Sequence, residues 1–274
     1  NGTTNFILSN MDDSGVSYGD ALRVAQKKGY AEADPTNDVA GYDAARKLAI
    51  LASIGFHANV TFDDVLVEGI EKISQNDVQY ASEMGYTIKL LAVAIRQENG
   101  IALNVYPAFV PRSHPLASVK GSYNAIYVTG NIVDDVMFYG KGAGSLPTAS
   151  AVMGAVISTA KHILNHSTGT GMMLTETKRI PFYSSLKLEN SYYFRLIVDD
   201  VTGVLSQIAS AYADNDISIK EVVQKSRIED AAELMIITEK TPRENIIHVE
   251  KALQVLPCMR QVANVVRVME DDRK

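Results

Sequence analysis

The chain has 274 residues, enough for two domains of ordinary size. Hydrophobic residues make up 46% and charged residues 21%, so a normal core is available, and the formal net charge of -6 leaves no basic face for nucleic acid or an anionic membrane. No run of 18 apolar residues predicts a membrane span and no basic-then-apolar start predicts a signal peptide; Cys258 is the sole cysteine, which excludes an internal disulfide and fits a reducing cytosol.

In chain order, residues 5–12 and 17–28 read as helices broken at Ser14-Gly15, with Ser17 as N-cap and Gly29 as the stop. After the loop YAEADPTND, a longer helix is predicted from about Asp38 to just before Gly55, with apolar positions Ala44, Leu48, Leu51 and Ala52. Two short helices are predicted over 61–73 and 76–85. The pattern then alternates. TIKLLAVAIRQENGIALNVYPAFV reads as two strands about the turn ENG, and NAIYVTGNIVDDVMFYGKG as two more about Gly130-Asn131. TASAVMGAVISTAKHIL reads as a helix capped by Thr148, and the polar stretch 165–188 reads as a linker.

Beyond the linker come a strand (YYFRLIVDD), a helix, two strands (ISIKEVVQKS and AAELMIITEK), a helix with Pro242 in its first turn, and a last strand (MRQVANVVRVME). The order βαββαβ is that of a ferredoxin-like sheet. The expected fold class is therefore α+β: a domain of helices and antiparallel sheet over 1–165, a linker over 166–189, and a ferredoxin-like domain over 190–274.

Asp43 and Lys47 are spaced i, i+4 and share one helix face. One reading is a solvent-exposed pair contributing about 0.3–0.5 kcal/mol. The other starts from Glu32, Asp34 and Asp38, which crowd the loop feeding that helix; Asp38 also suits an N-cap. Such carboxylates can grip an ammonium group while a lysine faces a hydroxyl or carbonyl and moves its proton, which suits an amino-acid ligand better than a phosphate. NGTTNF supplies Thr3 and Thr4 either as a simple turn or as ligand-binding hydroxyls. YGKGAGSLPTAS is a glycine-rich turn entering a helix N-terminus, yet it is neither GxxxxGK[ST] nor GxGxxG. His162 and His166 are one turn apart with no further ligand type placed beside them, so no metal site is expected. His114, before a proline, reads as a loop residue.

Taken together, NGTTNFIL, GYAEADPTNDVAGYDAARKLAIL, HPLASVKGSYNAI and YGKGAGSLPTASAV resemble the homoserine dehydrogenase family, in the family's order, over residues 1 to about 165. Residues 190–270 resemble an ACT domain, with DDVTGVLSQIA matching its Asp-x-x-Gly-x-Leu turn. The resemblance implies NAD(P)-dependent interconversion of L-aspartate 4-semialdehyde and L-homoserine. It implies Lys47 as proton donor and acceptor, with Asp43 positioning it. Glu32 and Asp38, helped by Thr3 or Thr4, would bind the amino acid, and Gly142 and Gly144 would lie on the nicotinamide side. It implies L-threonine as a feedback ligand near Asp199, Asp200 and Gly203, and a homodimer or higher homo-oligomer.

The family's GxGxxG dinucleotide domain, a further lysine and its sodium ligands have no counterpart in this sequence. The chain is accordingly expected to be a fragment that neither holds NAD(P) nor turns over substrate alone. A rival expectation is a non-enzymatic amino-acid-binding regulator, which would share the acidic pocket and the ACT-like part but would not need Lys47 beside Asp43.

Overall fold

The computed structural model describes residues 1–167, 180–228 and 230–270, with backbone alone over 226–228. The first helix, α1 (Gly2–Ser14), starts where the Asn1 side chain accepts the Thr4 N–H and stops at Gly15 in a left-handed conformation. Helix α2 (Tyr18–Lys27) starts at the Ser17 cap, as expected, and Gly29 follows it with φ 74°. A short helix, α3 (Thr36–Val39), precedes α4 (Tyr42–Phe56). The long helix therefore begins four residues after Asp38 and is not capped by it: Gly41, with φ 86°, ends one helix and begins the other.

The helix predicted over 61–73 does not form. A 3-10 turn at Phe62–Asp64 is followed by strand β1 (Leu66–Val67), which pairs with Asn104 and Val105. A helix this short gains little by itself, and pairing with a neighbouring strand outweighs local preference. The next prediction holds as α5 (Gln75–Glu83), closed by a capping box between Ser74 and Asp77. Strands β2 (Tyr86–Gln97) and β3 (Gly100–Pro111) then pair antiparallel along their full length.

Strands β4 (Tyr123–Gly130) and β5 (Asp134–Lys141) form a separate two-stranded sheet. Helix α6 (Ser145–Leu164) starts after Gly144. Thr148, predicted as its cap, lies inside the first turn and gives its N–H to the Gly144 carbonyl. Part of the predicted linker, 168–179, lies outside the described residues. The rest is not free: Phe182 bridges to Ile101, and Pro181 and Tyr183 exchange backbone hydrogen bonds with that residue.

The βαββαβ order is realised as β6 (Glu189–Asp199), α7 (Val204–Ala213), β7 (Ile219–Ile228), β8 (Ala231–Thr238), α8 (Arg243–Gln254) and β10 (Met259–Val268), with a two-residue strand β9 (Thr241–Pro242) before α8. Their sheet order, β10-β6-β8-β7, is ferredoxin-like. The sheet continues past this unit: β10 pairs parallel with β3 through Arg267–Ala108 and Val268–Phe109, which joins both halves of the chain in one sheet.

Helices α7 and α8 cover one face, burying Ile208, Tyr212, Ile246, Val249 and Leu253 against Phe194 and Leu196. The other face meets α1, α2 and α5, where Ile7, Met11 and Val78 pack with Tyr193, Met235 and Val266. Helix α4 buries Ala45, Leu48 and Ala49 against Ile101 and Leu103 of β3, whereas Leu51, expected inside, is 41% exposed.

An ionic network crosses the α5 interface. Arg195 of β6 donates to Asp77 at 2.7 Å, to Glu233 of β8 at 3.1 Å and to Ser74 at 3.0 Å. Asn264 of β10 donates to the same Asp77 at 2.9 Å, and Tyr80 donates to Glu233 at 2.5 Å. Both carboxylates in this buried group accept hydrogen bonds and each Arg195 nitrogen donates one, the condition under which buried charge is tolerated. Among the described residues, no helix is long and apolar enough to cross a membrane.

Candidate active site

The site is built where α1 and α4 begin. An ideal Cβ on Gly41 would lie 3.0 and 3.1 Å from methyl groups of Val67 and Val105, so glycine serves both the left-handed turn and the close approach of α4 to the sheet. That approach buries Ala44, Ala45 and Leu48 and turns Asp43 and Lys47 outward. Lys47 Nζ lies 2.7 Å from Asp43 Oδ2, with the two side chains 57% and 32% exposed.

Taken alone this is the exposed i, i+4 pair. Asn1 changes its setting: its amide Nδ2 donates to Asp38 Oδ1 at 2.7 Å and to Asp43 Oδ2 at 2.6 Å, while its Oδ1 accepts the Thr4 N–H. One side chain thus caps α1 and ties the carboxylates of two other helices together. Burial alone would raise the Asp43 carboxyl, but the hydrogen bonds from Lys47 and Asn1 outweigh it and hold the group below its ordinary range.

Thr3 and Thr4 stand at this helix end with their hydroxyls already engaged. Thr3 Oγ1 donates to the Tyr30 carbonyl at 2.6 Å, tethering the acidic loop, and Thr4 Oγ1 donates to the Asn1 carbonyl at 3.2 Å. Glu32 is exposed in that loop and its backbone carbonyl accepts from Gln26, while Asp34 closes a local turn onto Thr36. The structure therefore gathers Asp38, Asp43 and Lys47 around Asn1, and it brings neither the Glu32 nor the Asp34 carboxylate into contact with them.

The glycine turn reaches the same place. An ideal Cβ on Gly142 would sit 2.7 Å from Asn124 Nδ2, and one on Gly2 would sit 2.9 Å from the Ser122 carbonyl and 3.4 Å from Asn124 Nδ2. Asn124 thus lies between the first turn of α1 and the turn that leads, through Gly144 at φ 121°, into α6.

Behind it, Asn5 Nδ2 faces the carbonyls of Val119, Gly121 and Tyr123 at 3.1, 2.9 and 3.1 Å. Lys89, 6% exposed on β2, donates to Val119 O at 2.5 Å and to Asn5 Oδ1 at 3.0 Å. Burial pushes the Lys89 ammonium down to about 8. Asn1, Asn5, Asn124 and Lys89 were not singled out from sequence. Asn1 carried a legible signal, an N-cap residue type three before Thr4; Lys89 showed as a charge inside an alternating strand.

Asp199, Asp200 and Gly203 form a separate group. Asp199 accepts from Arg260 at 2.6 Å, the Asp200 N–H reaches the Asp230 carbonyl, and Gly203, φ 89°, opens α7. His162 faces Ser167 at the end of α6, and among the described residues no group of three His, Cys, Asp or Glu side chains is placed to hold a metal ion.

For a dinucleotide, the fit is partial. The Gly142–Gly144 turn is a glycine-rich entry to α6, packed against Asn124 at Gly142. Parallel pairing among the described strands is limited to β1 and β10 on β3, and no strand–glycine turn–helix unit of dinucleotide-binding type accompanies it.

A family profile described as homoserine dehydrogenase matches residues 1–157, which contain every element of this site. The chain belongs to the homoserine dehydrogenase family. Its relatives include the homoserine dehydrogenases of Corynebacterium glutamicum, 41% identical over 99% of this chain and 61% of that protein, and of Mycobacterium tuberculosis, 42% identical over 98% of this chain and 63% of that protein. A solved homoserine dehydrogenase from Thiobacillus denitrificans superposes with a TM-score of 0.91 at 37% identity, covering 98% of this chain and 62% of that one. The chain thus spans less than two thirds of the length of these homoserine dehydrogenases.

Proposed function

We propose that the chain is the substrate-holding part of an NAD(P)-dependent cytoplasmic enzyme that interconverts L-aspartate 4-semialdehyde and L-homoserine, on the route to threonine, methionine and isoleucine. The observation that carries this is the Asn1-centred group, in which two carboxylates are held together beside a partly exposed ammonium. Asp38 and the loop carboxylate Glu32 receive the substrate's ammonium or hydroxyl end, with Thr3 and Thr4 fixing the helix end and loop that carry them. Asp43 orients Lys47. In the reducing direction the Lys47 ammonium gives its proton to the oxygen on which charge develops, so it acts in the transition state more than in binding. NAD(P), when bound, would supply or accept the hydride, and Gly142 and Gly144 would lie on its nicotinamide side.

The second half is proposed as an ACT domain, with the linker near 166–189 and the regulatory unit over 190–274. L-threonine would act at Asp199, Asp200 and Gly203, in a homodimer or higher homo-oligomer. The chain by itself is proposed to be inert, which the partial dinucleotide fit supports.

Calorimetry of L-homoserine against the chain tests the substrate site: binding is expected, and Asp43→Asn is expected to weaken it. Within a polypeptide of the relatives' full length, Lys47→Ala is expected to lower kcat by about 100-fold or more with KM changed far less. A kcat within about threefold of the parent would overturn the role given to Lys47. Homoserine oxidation by the chain alone would overturn its proposed inertness.

A further inference from the structure

A cavity of about 510 Å³ lies at the seam between the two halves, away from the Asn1 group and from the Asp199–Gly203 turn. Its volume is in the range of small-molecule pockets, about 300–1,000 Å³. The segment after β1 supplies Glu68 and Lys72 to its wall, and α8 and β10 supply Arg243, Glu250 and Arg267.

The arginines and Glu68 form the fixed part. Arg267, 5% exposed, gives both terminal nitrogens to Glu68 at 2.9 and 3.1 Å and stacks on the Tyr106 ring at 4.1 Å. Arg243 Nη2 lies 2.5 Å from Glu68 Oε1, the oxygen that also accepts from Arg267 Nη2. One carboxylate thus locks two arginines in place, and the Arg243 fork keeps donors to spare.

Three groups in the same wall have no such partner. Among the described residues Glu250 accepts no hydrogen bond and joins no ion pair, and its partly buried carboxyl is pushed up by burial, with Arg243 opposing. Lys72, exposed at the rim, likewise joins no ion pair among the described residues, although its charge acts on Glu250 and Glu68. Tyr192, 1% exposed, has a hydroxyl with no hydrogen-bond partner among the described residues. A lone anion would meet Glu250 and a lone cation would meet Arg243 and Lys72. A molecule carrying both charges a few ångströms apart satisfies all of them.

We infer that this seam cavity is a binding site for a small zwitterion of the α-amino-acid class, its carboxylate taken by Arg243 and Lys72 and its ammonium by Glu250. Since Lys72 belongs to one half and Glu250 to the other, the occupant bridges them, and binding there resists their separation. The site is additional to both sites proposed above and depends on neither.

The test is calorimetry on the full chain with L-threonine, L-homoserine, L-methionine and L-isoleucine, each beside its N-acetyl and its amide form. At least one free amino acid is expected to bind with a Kd of about 1 mM or tighter, and both blocked forms about tenfold more weakly. Glu250→Gln and Lys72→Met, each verified as folded by an unchanged thermal midpoint, should weaken that binding about fivefold or more. Asp43→Asn and Gly203→Ala should leave it intact, which separates this event from binding at the proposed substrate and threonine sites. No binding by any of the four up to about 20 mM would overturn the inference. So would binding that survives in Glu250→Gln and Lys72→Met, or that vanishes in Asp43→Asn or Gly203→Ala.

Discussion

Arg195→Met tests the ionic network under α5. The substitution keeps the length of the side-chain stem and removes the charge. Three donated hydrogen bonds disappear, and two carboxylates, on Asp77 at 0% and Glu233 at 2% exposure, lose the cation between them. Removing one member of a buried pair costs about 3–5 kcal/mol, because what remains is uncompensated charge. Against a whole-domain stability of about 5–15 kcal/mol that is about a fifth at the least.

Urea unfolding followed by circular dichroism should show the unfolding free energy falling by this amount, through a lower midpoint at an unchanged slope. Adding Glu233→Gln to the Arg195→Met chain should recover about 1 kcal/mol or more, since one of the stranded charges is gone while the glutamine oxygen still accepts from Tyr80. Arg195→Lys should rescue poorly, because an ammonium cannot reproduce the fork that reaches Asp77, Glu233 and Ser74 together. A loss below about 1 kcal/mol for Arg195→Met would show that solvent screens the network, and the account of this interface would fail.

Lys89 makes stability depend on pH. Its folded value of about 8 lies below the ordinary 10.5, so the folded chain binds fewer protons between those values and its stability should rise with pH across that window. Subtracting the curve for Lys89→Met should expose a rise of up to about 3 kcal/mol, and a flat difference would refute the burial of this ammonium. Gly41→Ala should cost about 1–3 kcal/mol in thermal unfolding, from its left-handed φ and the contacts with Val67 and Val105; an unchanged melting temperature would contradict the tight helix junction. Asn1→Ala should lose about 1 kcal/mol from the α1 cap, and Asn1→Asp should retain the cap but place a third carboxylate against Asp38 and Asp43. An Asn1→Asp chain as stable as the parent would mean that the bridge to the carboxylates contributes nothing.

Much of the fold was legible because its signals are local. Ser17 and Gly29 bracket α2, the ENG turn sets the β2–β3 hairpin, and the alternation of helices and strands after residue 189 spells the ferredoxin-like unit. What local signals could not reveal is pairing at long range. Leu66-Val67 becomes a strand through contact with β3, and the joining of both halves depends on Arg267 and Val268 meeting Ala108 and Phe109, residues about 160 positions away. The site shows the same division. Asp43 and Lys47 stood out by spacing, whereas Asn1, Asn5, Asn124 and Lys89 are ordinary polar residues until the chain brings them to the carboxylates and carbonyls that they serve.

The junction of β10 with β3 also sets a timetable for biogenesis. The stretch of β3 at Ala108 and Phe109 gains its outer neighbour when Arg267, Val268 and the Met269 N–H arrive, the latter bonding the Phe109 carbonyl at 2.8 Å. Until the ribosome has released these residues, an apolar strand stands with part of one edge unpaired, open to pairing with a neighbouring nascent chain. Slow translation or premature termination near the end of β10 therefore leaves this edge of β3 open for longer, a site for aggregation or for a chaperone.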